Sequence, residues 1–302
     1  MFRIGPGWLL FFLLAWGLLP VQRPANAASY QQICEQMQAA IDTRRVQGVQ
    51  HEQVISVLAK ARSHCRTQPV TWHFLAVIVR HSELSLAQHS YSRVGFSDAE
   101  IASIKTLHRK FESWIYAATA RTVTVKTTYL ILDEPLRTLT LAKSDQGYWA
   151  APRDLQAGLS KLDLKPYQSI IAWVKIPDQV PRFGGGVTVH EPKRTKGTLY
   201  SCAILKARDW QTVEQQGYEP IIISHEFYHQ ITMALVRELK YPDALFPSNH
   251  PPATIAAEGR RLLPAGATRR EWYTRVLSCY ITPRMWRELL AWQQRYRQTP
   301  AP

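Results

Sequence analysis

The sequence predicts an α+β protein in which a mixed β-sheet packs against one long helix. Helical apolar spacing dominates residues 28–120, β-branched and aromatic residues dominate residues 121–217, and helical spacing returns in residues 218–302. Helices first, strands next and helices last are typical of folds in which the helices and the sheet are segregated. We therefore expect residues 121–302 to form one domain, preceded by a leader and by an N-terminal helical region.

The first 27 residues have the pattern of a secretory signal peptide. A start with only Arg3 as a basic side chain precedes the apolar run 8–21, and Ala25-Asn26-Ala27 is an A-x-A cleavage signal. The run has about 14 residues, fewer than the ~20 needed to cross a bilayer, and no later segment of the sequence is long and apolar enough. We expect cleavage after Ala27 and a secreted or periplasmic protein without a stable transmembrane span; an uncleaved N-terminal anchor is the alternative.

The chain is strongly basic, with 37 Lys and Arg against 23 Asp and Glu and a formal net charge of +14. Removal of the leader, which holds Arg3 and Arg23, would lower this charge by two, to +12. Such a charge attracts acidic substrates and anionic envelope polymers. Because Lys and Arg are scattered and no recognition motif is present, the charge does not indicate nucleic-acid binding.

Four cysteines follow the leader: Cys34, Cys65, Cys202 and Cys279. None forms a C-x-x-C pair, which disfavours a thiolate metal site. In an oxidising compartment we expect two disulfide bonds. Of the three possible pairings, the preferred one joins Cys34 to Cys65, stapling a helical hairpin, and Cys202 to Cys279.

The first elements of the chain are helical in this interpretation. Two helices are predicted near residues 30–44 and 51–64, and a weak pattern in residues 70–90 suggests more helix. The capping box Ser97-Asp98-Ala99-Glu100 then opens a clear helix over residues 98–118, whose apolar side chains recur every three or four positions.

The middle of the chain changes to strand patterns. In chain order the predicted elements are strands at residues 122–132 and 136–143, a short helix near 154–162, and strands at 169–176, 187–190 and 198–206. The apolar run 170–174 indicates a central strand. The last two strands are expected to form a hairpin around the basic turn 193–197.

Residues 218–240 predict the helix that carries the chemistry, because they contain His225, Glu226 and His229 in an H-E-x-x-H array. Side chains at i and i+4 leave a helix on one face, so two imidazoles at this spacing can bind one metal ion. Glu226 follows His225 by about 100° of rotation, which places its carboxylate beside the ion, where it suits a general base. Two histidines with this spacing favour a metal site over two packed core side chains.

This array, in the segment Ile223-Ser224-His225-Glu226-Phe227-Tyr228-His229-Gln230, together with Ala257-Glu258-Gly259, resembles the motifs of gluzincins, the thermolysin-like zinc metallopeptidases. The resemblance extends from residue 218 to residue 259. It implies a zincin-like fold, a Zn²⁺ cofactor bound by His225, His229 and Glu258, and hydrolysis of a peptide or protein substrate with Glu226 as the catalytic base.

The third ligand comes from a different part of the chain. The metzincin continuation is absent, since Thr232 and Leu235 stand where its glycine and third histidine would be. Glu258 lies on a predicted helix over residues 255–263, and its carboxylate would complete a set of two histidines and one glutamate with a fourth position left for water. His250 and Asp243 are the alternatives.

Other roles at the site stay open in the sequence. A donor for the tetrahedral oxyanion is expected, and His250, Tyr273 and Tyr241 are candidates by position. By the same resemblance, residues 200–205 would be an edge strand that pairs with extended substrate; an ordinary sheet strand is the alternative. Two other functions compete with a peptidase: a binding or structural protein with a non-catalytic motif, and a zinc hydrolase that cuts an amide other than a protein's.

The last residues again predict helices. Thr268-Arg269-Arg270-Glu271 is a second capping box, which opens a helix toward Cys279. Thr282-Pro283 then opens a helix that extends to about residue 297. The last helix has Trp286, Leu289, Leu290 and Trp292 available for packing.

Overall fold

A computed structural model describes most of the chain from Pro69 to Gln298. Within this range the residues left out are 87–88, 120, 143–146, 184–185, 207, 211–212, 214–219, 242, 244–245, 247–268 and 280. The leader, the two predicted helices before residue 65, Cys34 and Cys65 therefore lie outside the described residues.

The described residues form a mixed α+β structure, which confirms the predicted class. Its strands are β1 (Val70–Val79), β2 (His81–Ser82), β3 (Ser85–Leu86), β4 (His89–Ser90), β5 (Val94–Gly95), β6 (Val123–Leu132), β7 (Thr140–Leu141), β8 (Tyr148–Trp149), β9 (Ser169–Ile176), β10 (Gly186–Val189) and β11 (Leu199–Lys206). Its helices are α1 (Asp98–Ala118), α2 (Gln156–Leu159), α3 (Pro192–Thr195), α4 (Ile221–Arg237), α5 (Arg269–Cys279) and α6 (Pro283–Gln298).

The main sheet has five strands in the order β10-β11-β9-β1-β6. The four strands from β11 to β6 are parallel to one another, and β10 alone runs antiparallel to its neighbour β11. Parallel strands are usually covered on both faces, and their sequences are correspondingly apolar throughout. The central position predicted for residues 169–176 is confirmed by β9.

The helix suggested for residues 70–90 is wrong, because residues 70–79 form β1 between β9 and β6. Trp72 and Phe74 enter the core on one face of the sheet, whereas Leu75 and Val77 enter the core on the other face. A strand that is buried on both faces loses the alternation that marks a half-buried strand, and its pattern resembles that of a buried helix.

The helices α1, α4, α5 and α6 contribute to one core cluster and share one face of the sheet. Short elements and loops, mainly from residues 84–86 and 136–180, cover the other face. The predicted packing of the motif helix α4 on a mixed sheet is confirmed: the Gln230 amide donates to the Ile170 carbonyl at 2.8 Å and to Ser201 Oγ at 2.7 Å. None of the helices among the described residues is long and apolar enough to cross a membrane.

Helix α1 begins with the predicted capping box. Ser97 Oγ accepts from the Glu100 backbone N–H at 3.2 Å, and the Glu100 carboxylate accepts from the Ser97 N–H at 2.8 Å. The same carboxylate pairs with Lys175 Nζ of β9 at 2.6 Å. The cap therefore also ties the first turn of α1 to a central strand of the sheet.

Several predicted elements are shorter or differently placed. The strand predicted at 136–143 is reduced to the two residues of β7, and the helix predicted at 154–162 to the four residues of α2. The hairpin is present, but its turn contains the short helix α3. The edge position that the resemblance implies for residues 200–205 is wrong, and the alternative of an ordinary sheet strand is confirmed, since β11 lies between β9 and β10. The edge strand on that side of the sheet is β10.

Cys202 is a free, fully buried thiol. Burial raises its pKa well above the usual range. Its side chain packs on the face of the sheet opposite to the helix-covered face that includes α5. The side chain of Cys279 lies outside what the structure describes, so the pairing of Cys202 with Cys279 and the second disulfide bond stay predictions.

Candidate metal centre

The site begins with α4, which starts after Pro220 and holds the two histidines one turn apart. Ile223, Phe227 and Ile231 are buried and face the sheet and the other helices. The histidines lie at the border of this buried face, where the His225 side chain is 24% exposed, so the ring remains accessible to a ligand.

The two imidazole rings are adjacent, and their Nε2 atoms lie within hydrogen-bonding distance of each other. His225 Nε2 lies 3.0 Å from His229 Nε2, and the ring centroids are 4.4 Å apart. With Zn–N distances of about 2.0–2.1 Å, nitrogens at this spacing would subtend ~94° at a shared ion, and a tetrahedral angle would need only ~0.3 Å more separation. The pair therefore fits two ligands of one zinc ion.

Glu226 lies beside this pair and is 1% exposed. Its Oε1 is 3.8 Å from His225 Nε2, while its Oε2 accepts from the Thr188 hydroxyl of β10 at 2.8 Å. In the metal-free protein burial raises the pKa of this carboxyl to about 8, against the opposing effect of the Thr188 hydrogen bond. A nearby cation would lower it again. A carboxyl poised near neutral pH can both accept and return a proton.

Gly186, the first residue of β10, leaves the space that the Glu226 carboxyl occupies. A Cβ at this position would lie 2.3 Å from Glu226 Oε1 and 3.0 Å from the Cys202 carbonyl oxygen. Neither atom can yield easily, because the carboxyl is buried and the carbonyl belongs to the adjacent strand. The edge strand and the candidate base are therefore in direct contact.

Replacing Gly186 by alanine is expected to destabilise the metal-free protein by about 1–3 kcal/mol, as is usual for overpacking. Urea unfolding at one pH measures this change. Gly158→Ala is the matched control, since the added methyl there meets only the flexible side-chain end of Leu132, at 2.7 Å. Equal stabilities of the two variants would contradict the tight contact between β10 and Glu226.

His225 has a partner on its other nitrogen. The hydroxyl of Tyr273, on α5, lies 2.6 Å from His225 Nδ1, and Tyr273 is 1% exposed. Sequence reasoning named Tyr273 as a candidate for a different role and gave no sign of this contact, which joins residues 48 positions apart. Only the fold brings α5 alongside α4.

The structure describes only some of the other candidate residues. Glu258 and His250 lie outside the described residues, so the third ligand remains a prediction. Asp243 is described, but no group of three His, Cys, Asp or Glu side chains able to hold one metal ion occurs among the described residues. Tyr241 donates its hydroxyl to Glu288 at 2.5 Å, toward α6.

No protein-family model matches the chain, and no curated protein or solved structure shows significant similarity to it. The resemblance to gluzincins is therefore confined to the residues of the two motifs. The side chains of the site itself are two adjacent imidazoles, a buried carboxyl and a tyrosine behind one ring.

Proposed function

We propose that this chain is an exported zinc-dependent metallopeptidase with a zincin-like catalytic domain. His225, His229 and Glu258 would hold the ion, and Glu226 would be the general base. The observation that carries the proposal is the 3.0 Å separation of the two Nε2 atoms, with the Glu226 carboxyl 3.8 Å from one of them. Neutral imidazoles with a carboxylate are a usual ligand set of catalytic zinc.

The mechanism assigns one task to each side chain. A zinc ion, when bound, lowers the pKa of water and polarises a carbonyl group. Glu226 accepts the proton of the attacking water and then returns it to the leaving amine. Thr188 holds the second oxygen of this carboxyl, so that Oε1 remains directed toward the histidines.

The position of β10 supports a peptide as the substrate. It is one of the two edge strands of the described five-stranded sheet, and its Thr188 contacts Glu226 of the motif helix. An extended peptide that adds to a sheet edge forms main-chain hydrogen bonds along its length. A peptide bound along β10 would lie next to the candidate base.

The decisive experiment measures zinc content and cleavage of a casein-type substrate by the full chain. We expect one zinc per chain and hydrolysis that a chelator stops and zinc restores. His229→Ala should lose both zinc and hydrolysis, whereas the exposed His89 of β4 provides a matched control. A folded wild type that binds no zinc would contradict the proposal and favour a binding protein with a non-catalytic motif.

A second outcome separates the remaining alternative. If the wild type holds zinc and leaves peptides intact but cuts another amide, the chain is a zinc hydrolase of a non-protein substrate. The metal ligands and the role of Glu226 would then stand, and the substrate class would change.

A further inference from the structure

Tyr273 touches His225 at the nitrogen that faces away from His229. Its hydroxyl oxygen lies 2.6 Å from Nδ1, whereas Nε2 of the same ring faces His229 Nε2 at 3.0 Å. The two nitrogens of an imidazole point in diverging directions. The hydroxyl therefore lies behind the ring as seen from His229.

A neutral imidazole carries one N–H, and the partner of one nitrogen decides the state of the other. For Nε2 to offer its lone pair to a cation, the hydrogen must be on Nδ1. A tyrosine oxygen can accept a hydrogen bond from that N–H. Such a partner behind a ligating histidine fixes both the tautomer and the ring orientation.

We propose that Tyr273 is the positioning residue that holds His225 in the Nδ1–H tautomer, which leaves the lone pair on Nε2, the nitrogen beside His229 where the metal ion would bind. This inference rests on the proposed function, because metal binding by His225 is what requires the Nδ1–H tautomer. It also removes Tyr273 from the candidates for the oxyanion donor, since its hydroxyl is directed at the rear of the ring and not at the reaction point.

The surroundings of Tyr273 keep its hydroxyl in place. The ring is packed against Tyr228, with centroids 6.4 Å apart, and against the His225 ring at 6.1 Å. The next residue on α5, Thr274, accepts a hydrogen bond from the Trp114 indole N–H at 3.0 Å. Helix α5 is thus anchored to α1 beside Tyr273, and the tyrosine has little freedom to turn away.

The first test compares zinc affinities. Tyr273→Phe removes only the hydroxyl. Mutation of a hydrogen-bond partner of a ligating histidine typically lowers metal affinity about 10–100-fold. We expect a loss of that size in competition with a chromophoric chelator. Tyr200→Phe is the matched control: Tyr200 is also 1% exposed, and its hydroxyl donates to the Ala150 carbonyl at 2.8 Å, on the opposite face of the sheet. Its zinc affinity should equal that of the wild type.

The second test reads the tautomer directly by two-bond ¹H–¹⁵N correlation of the histidine rings, with and without zinc. The wild type should show His225 as Nδ1–H in both states, and Tyr273→Phe should lose this preference in the zinc-free state. An Nε2–H tautomer in the zinc-free wild type would overturn the assignment, as would unchanged zinc affinity in Tyr273→Phe.

The two proposals fail in different ways. If the wild type binds no zinc, the proposed function is wrong, while the tautomer of the zinc-free protein still decides the role of Tyr273. If the wild type binds zinc and Tyr273→Phe binds it equally well, the metal site stands and the positioning role is wrong.

Discussion

Replacement of Glu226 by glutamine is expected to lower peptide hydrolysis by about 10²–10⁴-fold, the usual contribution of general acid–base catalysis. Glutamine has nearly the same shape and can still accept from the Thr188 hydroxyl, but it cannot accept a proton. The histidines are unchanged, so zinc should stay bound. Steady-state kcat/KM and the zinc content of the same preparation measure the two effects.

Glu112→Gln provides the matched control for this substitution. Glu112 lies on α1 and accepts from the Thr127 backbone N–H at 2.7 Å, a bond that glutamine can keep. Its activity should equal that of the wild type. Full activity of Glu226→Gln would contradict the general-base role, and loss of zinc together with activity would mean that Glu226 supports the metal site instead.

Glu226→Gln lowers activity, but we expect it to raise the stability of the zinc-free protein at pH 8. The folded-state pKa of Glu226, about 8 in the metal-free protein, lies above its ordinary value of 4.5. The proton that Glu226 holds therefore contributes stability that is complete below pH 4.5 and is lost as the pH rises toward 8. The glutamine variant lacks this loss, so in the zinc-free state at pH 8 it should unfold at a higher urea concentration than the wild type.

Acid is expected to destabilise the protein through His108, which is fully buried on α1 between sheet and helices. Burial lowers the pKa of this histidine from 6.5 to about 3. Below pH 6.5 His108 is therefore protonated in the unfolded chain but stays neutral in the folded chain. The free energy of unfolding falls as the pH drops from 6.5 toward 3. At pH 4.5 the loss is about 3 kcal/mol, since each pH unit in this window lowers the free energy of unfolding by about 1.4 kcal/mol.

The measurement compares urea unfolding of the wild type and His108→Gln at pH 7 and pH 4.5. Glutamine can still accept from the Trp173 indole N–H, which now donates to His108 Nε2 at 3.0 Å. The variant should lose about 3 kcal/mol less than the wild type between the two pH values. His89→Gln, at an exposed position of β4, is the control. Equal acid sensitivity of all three proteins would contradict a neutral, buried His108.

The elements that sequence reasoning placed correctly have local signals. Helix α1 has a capping box and a regular apolar period, and β9 is a short apolar run. The helical residues of α4 lie within the predicted range 218–240. Strand β1 has no comparable signal. Consecutive residues such as Phe74 and Leu75 face opposite sides of the sheet and are both apolar, so the strand lacks an alternating pattern. The order of strands in a sheet depends on tertiary packing. The sequence therefore could not show that β10, and not β11, lies at the edge.

In the candidate site, too, features within one element could be predicted from the sequence, whereas contacts between elements could not. The spacing of His225 and His229 on a helix was sufficient to predict adjacent rings, since both lie on one element. The contacts of Gly186 and Thr188 with Glu226, and of Tyr273 with His225, join different elements. Nothing in the local sequence of β10 or α5 marks these residues, because their importance depends on the packing of distant segments.

The place of β1 in the sheet has a consequence for synthesis. This strand is the earliest of the five in the chain, yet it needs β6 on one side and β9 on the other. About 90 residues separate the end of β1 from the start of β9, which a ribosome adds in roughly 5–20 s at 5–20 residues per second. For that interval a ten-residue apolar segment has an open hydrogen-bonding side. An unpaired apolar strand edge is a template for pairing with another chain, so the early position of β1 exposes the unfinished protein to aggregation.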